Sequence, residues 1–159
     1  MKRIIAIVLA TIIAVSTMAV TAFADTTPVT FSIQLTAGST ADVPNSGSKR
    51  QKSTDSSVYV DYNGLGGTSC PKYFYAYIYA AKTSTGRLVD VSTYTSSGSA
   101  RPMPRVELGT QGTLKNLAWE TFNGSCYVQL YGHIYSNYSG IARGDWSADI
   151  GSNTYPSYN

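Results

Sequence analysis

Histidine and cysteine are almost missing from this sequence: His133, Cys70 and Cys126 are all it has of either in 159 residues. A metal centre built on such side chains takes about four donors, so no metal is expected, and no other cofactor. No Gly-x-Ser-x-Gly elbow occurs, and the acidic residues are scattered without an evident glycosidase pair. Any serine triad would need His133 as its base, oriented by Asp61, Asp90, Asp145 or Asp149. A lone histidine in a tyrosine-flanked strand is more often a hydrogen-bonding or surface residue. The leading expectation is therefore a protein that is not an enzyme, with a secreted hydrolase the weakest alternative. Charge is sparse too, at 13% of residues. The run Lys49-Arg50-Gln51-Lys52 is too short to suggest nucleic acid and reads as a solvated loop. Long helical periodicity and internal repeats are both absent.

What is present begins with a leader. Lys2 and Arg3 precede an apolar run, Ile4 to Val15, broken only by Thr11. Ala22-Phe23-Ala24 places small residues at the −3 and −1 positions that a signal peptidase reads, and polar Asp25-Thr26-Thr27-Pro28 follows. Residues 1–24 are expected to be a secretory signal peptide cut between Ala24 and Asp25; an uncleaved anchor is the rival reading. Neither a lipoprotein cysteine nor a twin arginine accompanies the leader, and the C-terminal segment carries no hydrophobic tail or sorting motif. An extracellular product is expected, free or held non-covalently at the cell wall, with no membrane attachment after cleavage. Loss of Lys2 and Arg3 brings the 12 basic residues close to parity with the 9 acidic ones. Nothing in that balance calls for nucleic acid or anionic lipid.

Residues 25–159 are expected to form a single all-β domain, a small β-sandwich or Greek-key barrel of about seven short antiparallel strands. Phe31, Ile33 and Leu35 alternate with polar residues. A long polar loop or ragged edge strand covers about 37–57. Val58 to Tyr62 is a second strand, closed by Asn63-Gly64 and Gly66-Gly67. Tyr73 to Ala81 is the clearest strand, followed by a turn over Lys82 to Arg87 and a strand over Leu88 to Tyr94. Thr95 to Ala100 reads as a loop, Arg101-Pro102-Met103-Pro104 as an extended connector, and Val106 to Leu108 as a short strand. Leu114, Leu117 and Ala118 suggest one helical turn before Trp119. Cys126 to Tyr135 alternates again, and Trp146, Ala148 and Ile150 suggest a last strand.

Tyrosine is the anomaly, with 13 in the chain. Period-two alternation puts Phe74, Ala76, Ile78 and Ala80 on one face, and Tyr73, Tyr75, Tyr77 and Tyr79 on the other. It likewise divides Cys126, Val128, Leu130 and Ile134 from Tyr127, Tyr131 and Tyr135. If the small apolar residues face the core, the tyrosines form an outward aromatic surface suited to sugar rings, cell-wall glycan or a surface protein. The inverse assignment fills the core with tyrosine. A purely structural use also stands, because tyrosine favours strands and cross-strand pairs. An even cysteine pair in an exported chain points to a Cys70–Cys126 disulfide, with two buried thiols as the alternative. Arg143-Gly144-Asp145 matches the tripeptide that integrins read, in a position that could be an exposed turn, but three residues match by chance often. Asn123-Gly124-Ser125 and Asn137-Tyr138-Ser139 fit the glycosylation pattern, which carries little weight for a bacterial leader.

Three segments together resemble a known layout: Thr30-Phe31-Ser32-Ile33 as an early alternating strand, Arg50-Gln51-Lys52-Ser53 leading into Val58-Tyr59-Val60, and Trp146-Ser147-Ala148-Asp149 near the end. The layout is similar to that of small secreted Gram-positive proteins in a family of unknown function, often encoded beside bacteriocin-type ABC transporters. The resemblance implies export, a Gram-positive cell surface, and a role near antimicrobial peptide production or immunity. It brings no catalytic residues. The leading expectation is a binding domain at or outside the cell surface; the alternative is a bacteriocin-like toxin or an immunity-associated factor.

Overall fold

The computed structural model describes residues 25–39, 42–65, 69–92, 104–135 and 137–158. The expected leader, the Gly66-Gly67 turn, the end of the Leu88–Tyr94 strand, the 95–100 loop and residues 101–103 of the connector lie outside the described residues.

The chain is all-β, as its alternation predicts. Among the described residues the strands are β1 (Val29–Leu35), β2 (Val43–Pro44), β3 (Arg50–Lys52), β4 (Val58–Tyr62), β5 (Tyr73–Ala81), β6 (Val89–Asp90), β7 (Arg105–Glu107), β8 (Thr110–Leu114), β9 (Cys126–His133) and β10 (Gly140–Ser147), with one short helix, α1 (Ala118–Phe122). One sheet has the order β1-β10-β4-β8. The other is built on β2-β9-β5-β6, with β3 also pairing β9 and β7 also pairing β5. Every pairing between these strands is antiparallel. The chain crosses between the sheets after β1, β3, β4, β7, β8 and β9, so neither sheet is built from one continuous stretch.

The two inner faces make the core. Phe31, Ile33, Leu35, Val58, Val60, Tyr62, Ala142 and Trp146 come from the first sheet, and Phe74, Ala76, Ile78, Ala80, Val106, Cys126, Val128 and Leu130 from the second. Rings from both sheets meet: Phe31 lies 5.9 Å from Phe74, and Tyr62 meets Phe74 edge-on at 5.1 Å. Gly132 is there because a Cβ would come within 3.0 Å of the Ile33 side chain across the sandwich. Tyr62 is the tyrosine the core takes in. Its hydroxyl donates to the Pro71 carbonyl at 2.5 Å, and burial pushes its pKa well up. Each fully buried large apolar side chain is worth about 1.5–3 kcal/mol, so the alternation of β5 and β9 is the main energetic instruction for the second sheet.

Of the two forms expected for the 37–57 stretch, the ragged edge is the one found: Val43 and Pro44 pair with Gly132 and Tyr131, and Arg50 to Lys52 pair with Val128 to Cys126 of β9. Other expectations need correction. The basic run is not a solvated loop, for Lys52 is only 1% exposed. The helical turn begins at Ala118 and includes Trp119. Asn123 ends it with a left-handed φ of 50°, the conformation that asparagine tolerates at helix C-termini, which accounts for that residue without any glycan. The last strand runs Gly140–Ser147 rather than from Trp146 onward; Trp146 and Ala148 are core, and Ile150 is only half-buried. The C-terminal segment shields edge strand β8, with the Thr113 amide donating to Pro156 O at 2.8 Å and Tyr158 N to Thr113 O at 3.0 Å. Burial there pushes the Tyr158 phenol up to about 12.

The expected disulfide is absent: Cys70 and Cys126 are free thiols. Topology explains why. Each cysteine precedes or opens a strong strand, but β5 and β9 are antiparallel, with Tyr75 opposite His133 and Ala81 opposite Tyr127. The two strand starts therefore lie at opposite ends of the sheet, separated by roughly 26 Å of strand at 3.3 Å per residue. A disulfide needs Cα atoms within about 7 Å. Cys126 is 1% exposed, and burial pushes its thiol pKa up. Cys70 is partly exposed, its Sγ 3.4 Å from Gly64 O. Thiol titration of the native protein should label Cys70 alone, and Cys126 only after denaturant is added. A linked Cys70–Cys126 peptide in a non-reducing map would contradict this arrangement.

Candidate functional site

The outer face of the second sheet carries the tyrosines. Strand geometry sends Phe74, Ala76, Ile78 and Ala80 inward, so Tyr73, Tyr75, Tyr77 and Tyr79 leave by the other side. On β9, Tyr127, Gln129, Tyr131 and His133 do the same, and Tyr135 follows just beyond the strand. Cross-strand register sets Tyr75 opposite His133 and Tyr77 opposite Tyr131.

The rings form two groups. Tyr73 and Tyr75 meet edge-on at 5.7 Å, Tyr75 and Tyr135 at 5.3 Å, and His133 lies 4.1 Å from Tyr135. Arg105 of β7 extends this row, its guanidinium 4.1 Å from the Tyr73 ring. Tyr79 and Tyr131 pack at 4.1 Å as the second group. Tyr77 lies between them and is buried, at 2% exposure. Tyr127 lies at the far end of β9, opposite Ala81. The face is thus less open than a bare alternation argument suggests: Tyr73, Tyr75, Tyr79, Tyr127 and Tyr131 are half-buried, and only Tyr135, at 59%, is widely exposed.

His133 is buried on this face, at 3% exposure. Its Nδ1 lies 3.5 Å from Asp42 Oδ1, while Asp42 Oδ2 accepts the Tyr79 hydroxyl at 2.7 Å. Asp42 is the carboxylate that sequence reasoning missed. It sits in the polar edge segment 91 positions from its partner in the chain, and no local signal links the two. Burial, with the Asp42 charge adding to it, raises the phenol pKa of Tyr131. His133 Nε2 is buried without a hydrogen-bond partner among the described residues. No serine hydroxyl among them reaches it, so they assemble no nucleophile–base pair.

At the Tyr73 end of the row lies a pocket of about 390 Å³ lined by Ser69, Cys70, Pro71, Lys72, Tyr73, Ile134, Tyr138 and Ser139. Its size falls within the roughly 300–1,000 Å³ of ligand pockets. Tyr73 belongs to both the pocket and the row. Tyr138, 74% exposed, stands at the rim. Apolar and aromatic walls here meet the polar groups of Ser69, Lys72 and Ser139.

The remaining motifs fall elsewhere. Arg143-Gly144-Asp145 is no exposed turn. It is the middle of β10, paired with Ser32, Phe31 and Thr30 of β1. Arg50-Gln51-Lys52-Ser53 and Trp146-Ser147-Ala148-Asp149, distant in sequence, interlock. Lys52 Nζ lies 3.1 Å from Asp149 Oδ1, the Ser53 amide donates to Asp149 Oδ2 at 3.0 Å, and Arg50 packs over the Trp146 ring at 5.9 Å. Ala24 lies outside the described residues, and Asp25 joins this cluster. Among the described residues, no group of three or more histidines, cysteines or acidic residues could hold a metal, and no helix is long and apolar enough to cross a membrane. Comparison with family models, curated proteins and solved structures returned no significant match.

Proposed function

We propose that this is a secreted, non-enzymatic β domain of a bacterial cell surface that binds cell-wall glycan through the Tyr73–Tyr75–Tyr135 row and the adjoining pocket. The observation that carries the reading is Tyr73, which belongs both to that row and to a pocket lined by tyrosine rings, serine hydroxyls and a lysine. Sugar rings present apolar faces to aromatic rings and hydroxyls to polar rims, and both features occur side by side. Export with removal of residues 1–24 belongs to the same proposal and is tested by the intact mass of the protein recovered from culture medium. A product retaining Met1 would overturn it.

Binding is tested by sedimentation with purified cell wall. Tyr75→Ser with Tyr135→Ser should weaken retention at least tenfold while costing about 1–2 kcal/mol of stability, most of it from half-buried Tyr75, since Tyr135 is exposed. Wild-type retention in that variant would remove the aromatic row from the account. The interlocking of two of the three segments that carry the family resemblance favours a second reading, a bacteriocin-like or immunity-associated factor. Clearing of a sensitive bacterial lawn by the purified domain, with no binding to wall, would put that reading first.

A further inference from the structure

We infer that the α-ammonium group freed by cleavage after Ala24 docks on the buried Asp149 carboxylate, so that removing the leader completes the charge network of the fold. The inference rests on the processing reading proposed above, but its geometry is independent of it. The residue marked by the small-residue cleavage pattern is the residue the fold clamps. Asp25 N lies 3.2 Å from Asp149 Oδ2, and Asp149 N donates back to Asp25 O at 3.3 Å. The Asp25 carboxylate is gripped by Arg50, whose Nε donates to Oδ2 at 2.7 Å and whose second nitrogen reaches Oδ1. Arg50 also donates to Thr27 O at 2.9 Å. Residue 25 is thus fixed through its nitrogen, its carbonyl and its side chain.

Cleavage changes the chemistry of that nitrogen without moving it. In the uncut chain it is a neutral amide with a single proton. Hydrolysis by a leader peptidase breaks the Ala24–Asp25 C–N bond. Water supplies a hydroxyl to the Ala24 acyl carbon and a proton to the Asp25 nitrogen. The resulting amine, with an ordinary pKa of about 7.7–8.0, takes a further proton from solvent near neutral pH. An amide–carboxylate hydrogen bond becomes an ion pair, a stronger interaction, on a carboxylate that is itself buried.

Asp149 has an oxygen open to this cation. Lys52 occupies Asp149 Oδ1, leaving Oδ2 to the Ser53 amide and Asp25 N. Arg50 is committed to the Asp25 carboxylate and Lys52 to Asp149 Oδ1, so in the uncut chain Asp149 Oδ2 has only neutral N–H donors, and the ammonium would give it a charged one.

The test compares residues 25–159 bearing a free Asp25 amine with the same chain Nα-acetylated, and with the chain extended by Ala24. The described residues of this stretch form one packed core, so it is the folded unit. The free form should melt about 4 °C or more above both blocked forms, which should coincide. The gap should vanish in an Asp149→Asn background. If that variant does not fold, acylation of the α-amine in the wild type decides: labelling should be at least tenfold slower in the native state than in denaturant. Equal melting of free and acetylated chains, or equal labelling rates, would overturn the docking. An exported protein beginning at another residue would overturn the processing reading instead, whatever the acetylated chain shows.

Discussion

Asp149→Ala should destabilise the domain by about 3–5 kcal/mol, a large share of the stability of a small domain, because it strands a buried lysine. Asp149 is 0% and Lys52 1% exposed. The carboxylate is surrounded by donors: Lys52 Nζ at 3.1 Å, the Ser53 amide at 3.0 Å, Thr54 Oγ1 at 2.6 Å and Ser56 Oγ at 2.9 Å. Removing it leaves an ammonium with carbonyls but no counter-charge, and several donors without an acceptor. The reverse deletion is milder. In Lys52→Met the carboxylate keeps its amide and hydroxyl donors, so a loss of about 1–3 kcal/mol is expected. The double variant should be no worse than Asp149→Ala alone, and that non-additivity, read from denaturant midpoints, checks the pairing. Equal costs for the two single variants would mean that the hydroxyl and amide donors do not sustain the carboxylate.

The same site sets an acid limit. Burial by itself would raise the Asp149 pKa; the hydrogen bonds from Ser53 and Thr54 and the charge of Lys52 outweigh it, and the net direction is down. A depressed carboxylate contributes stability that is complete above its unfolded pKa of about 4 and drains away as pH falls through the folded value. Burial lowers the Lys52 pKa as well, with the Asp149 charge and its hydrogen bond only partly opposing it. Thermal melts of wild type and Asp149→Asn between pH 6 and pH 3 should converge at the acid end. Parallel curves would deny Asp149 that role.

Faces were legible in the sequence; neighbours were not. Alternation divided the residues of β1, β5 and β9 between two faces, because a strand has only two sides; that the small apolar set of β5 and β9 faces inward was decided by the fold. Alternation contains no information about which end of a strand meets which end of its partner, and so the two cysteines looked ready to bond when antiparallel pairing held them apart. The Lys49–Lys52 run looked solvated for a related reason. A lysine is buried only when a carboxylate meets it, and here the carboxylate lies 97 residues along the chain. Asp42 beside His133 is the same kind of contact. Strand β8, Thr-Gln-Gly-Thr-Leu, was invisible because its polar residues face outward or toward the C-terminal segment that covers it. Of the candidate site, the tyrosine face of each strand was readable from period two, but the row joining them rests on the β5–β9 pairing. The pocket was not readable, because its walls come from segments around residues 70, 134 and 138 that only the fold brings together.

Gly144→Ala should be at least as damaging as Asp149→Ala, although it adds a single methyl group. Gly144 lies inside β10, flanked by β1 and β4, and its inward direction points at backbone. A Cβ there would sit 1.9 Å from the Asp61 carbonyl oxygen and 2.7 Å from the Phe31 ring. A flexible side chain could yield to such a contact, but a carbonyl of the neighbouring strand can do so only by moving that strand. Asp61 is tied into β4, whose register against β8 runs from Val58–Leu114 to Tyr62–Thr110, and Phe31 is part of the ring cluster with Tyr62 and Phe74. Overpacking of a core by one methyl usually costs about 1–3 kcal/mol where side chains can adjust; with backbone as the obstacle the loss should exceed about 3 kcal/mol, and insoluble expression is the expected outcome. Gly109→Ala is a contrasting control: a Cβ there meets nothing, and only its positive φ of 84° is strained, so it should cost about 1 kcal/mol or a little more. The pair of variants separates two uses of glycine, room for a neighbouring backbone and freedom of φ. It also decides how the Arg143-Gly144-Asp145 tripeptide is to be understood. If Gly144→Ala folds with a melting temperature near wild type, β10 does not pass this close to β4, and the tripeptide could again be sought at the surface.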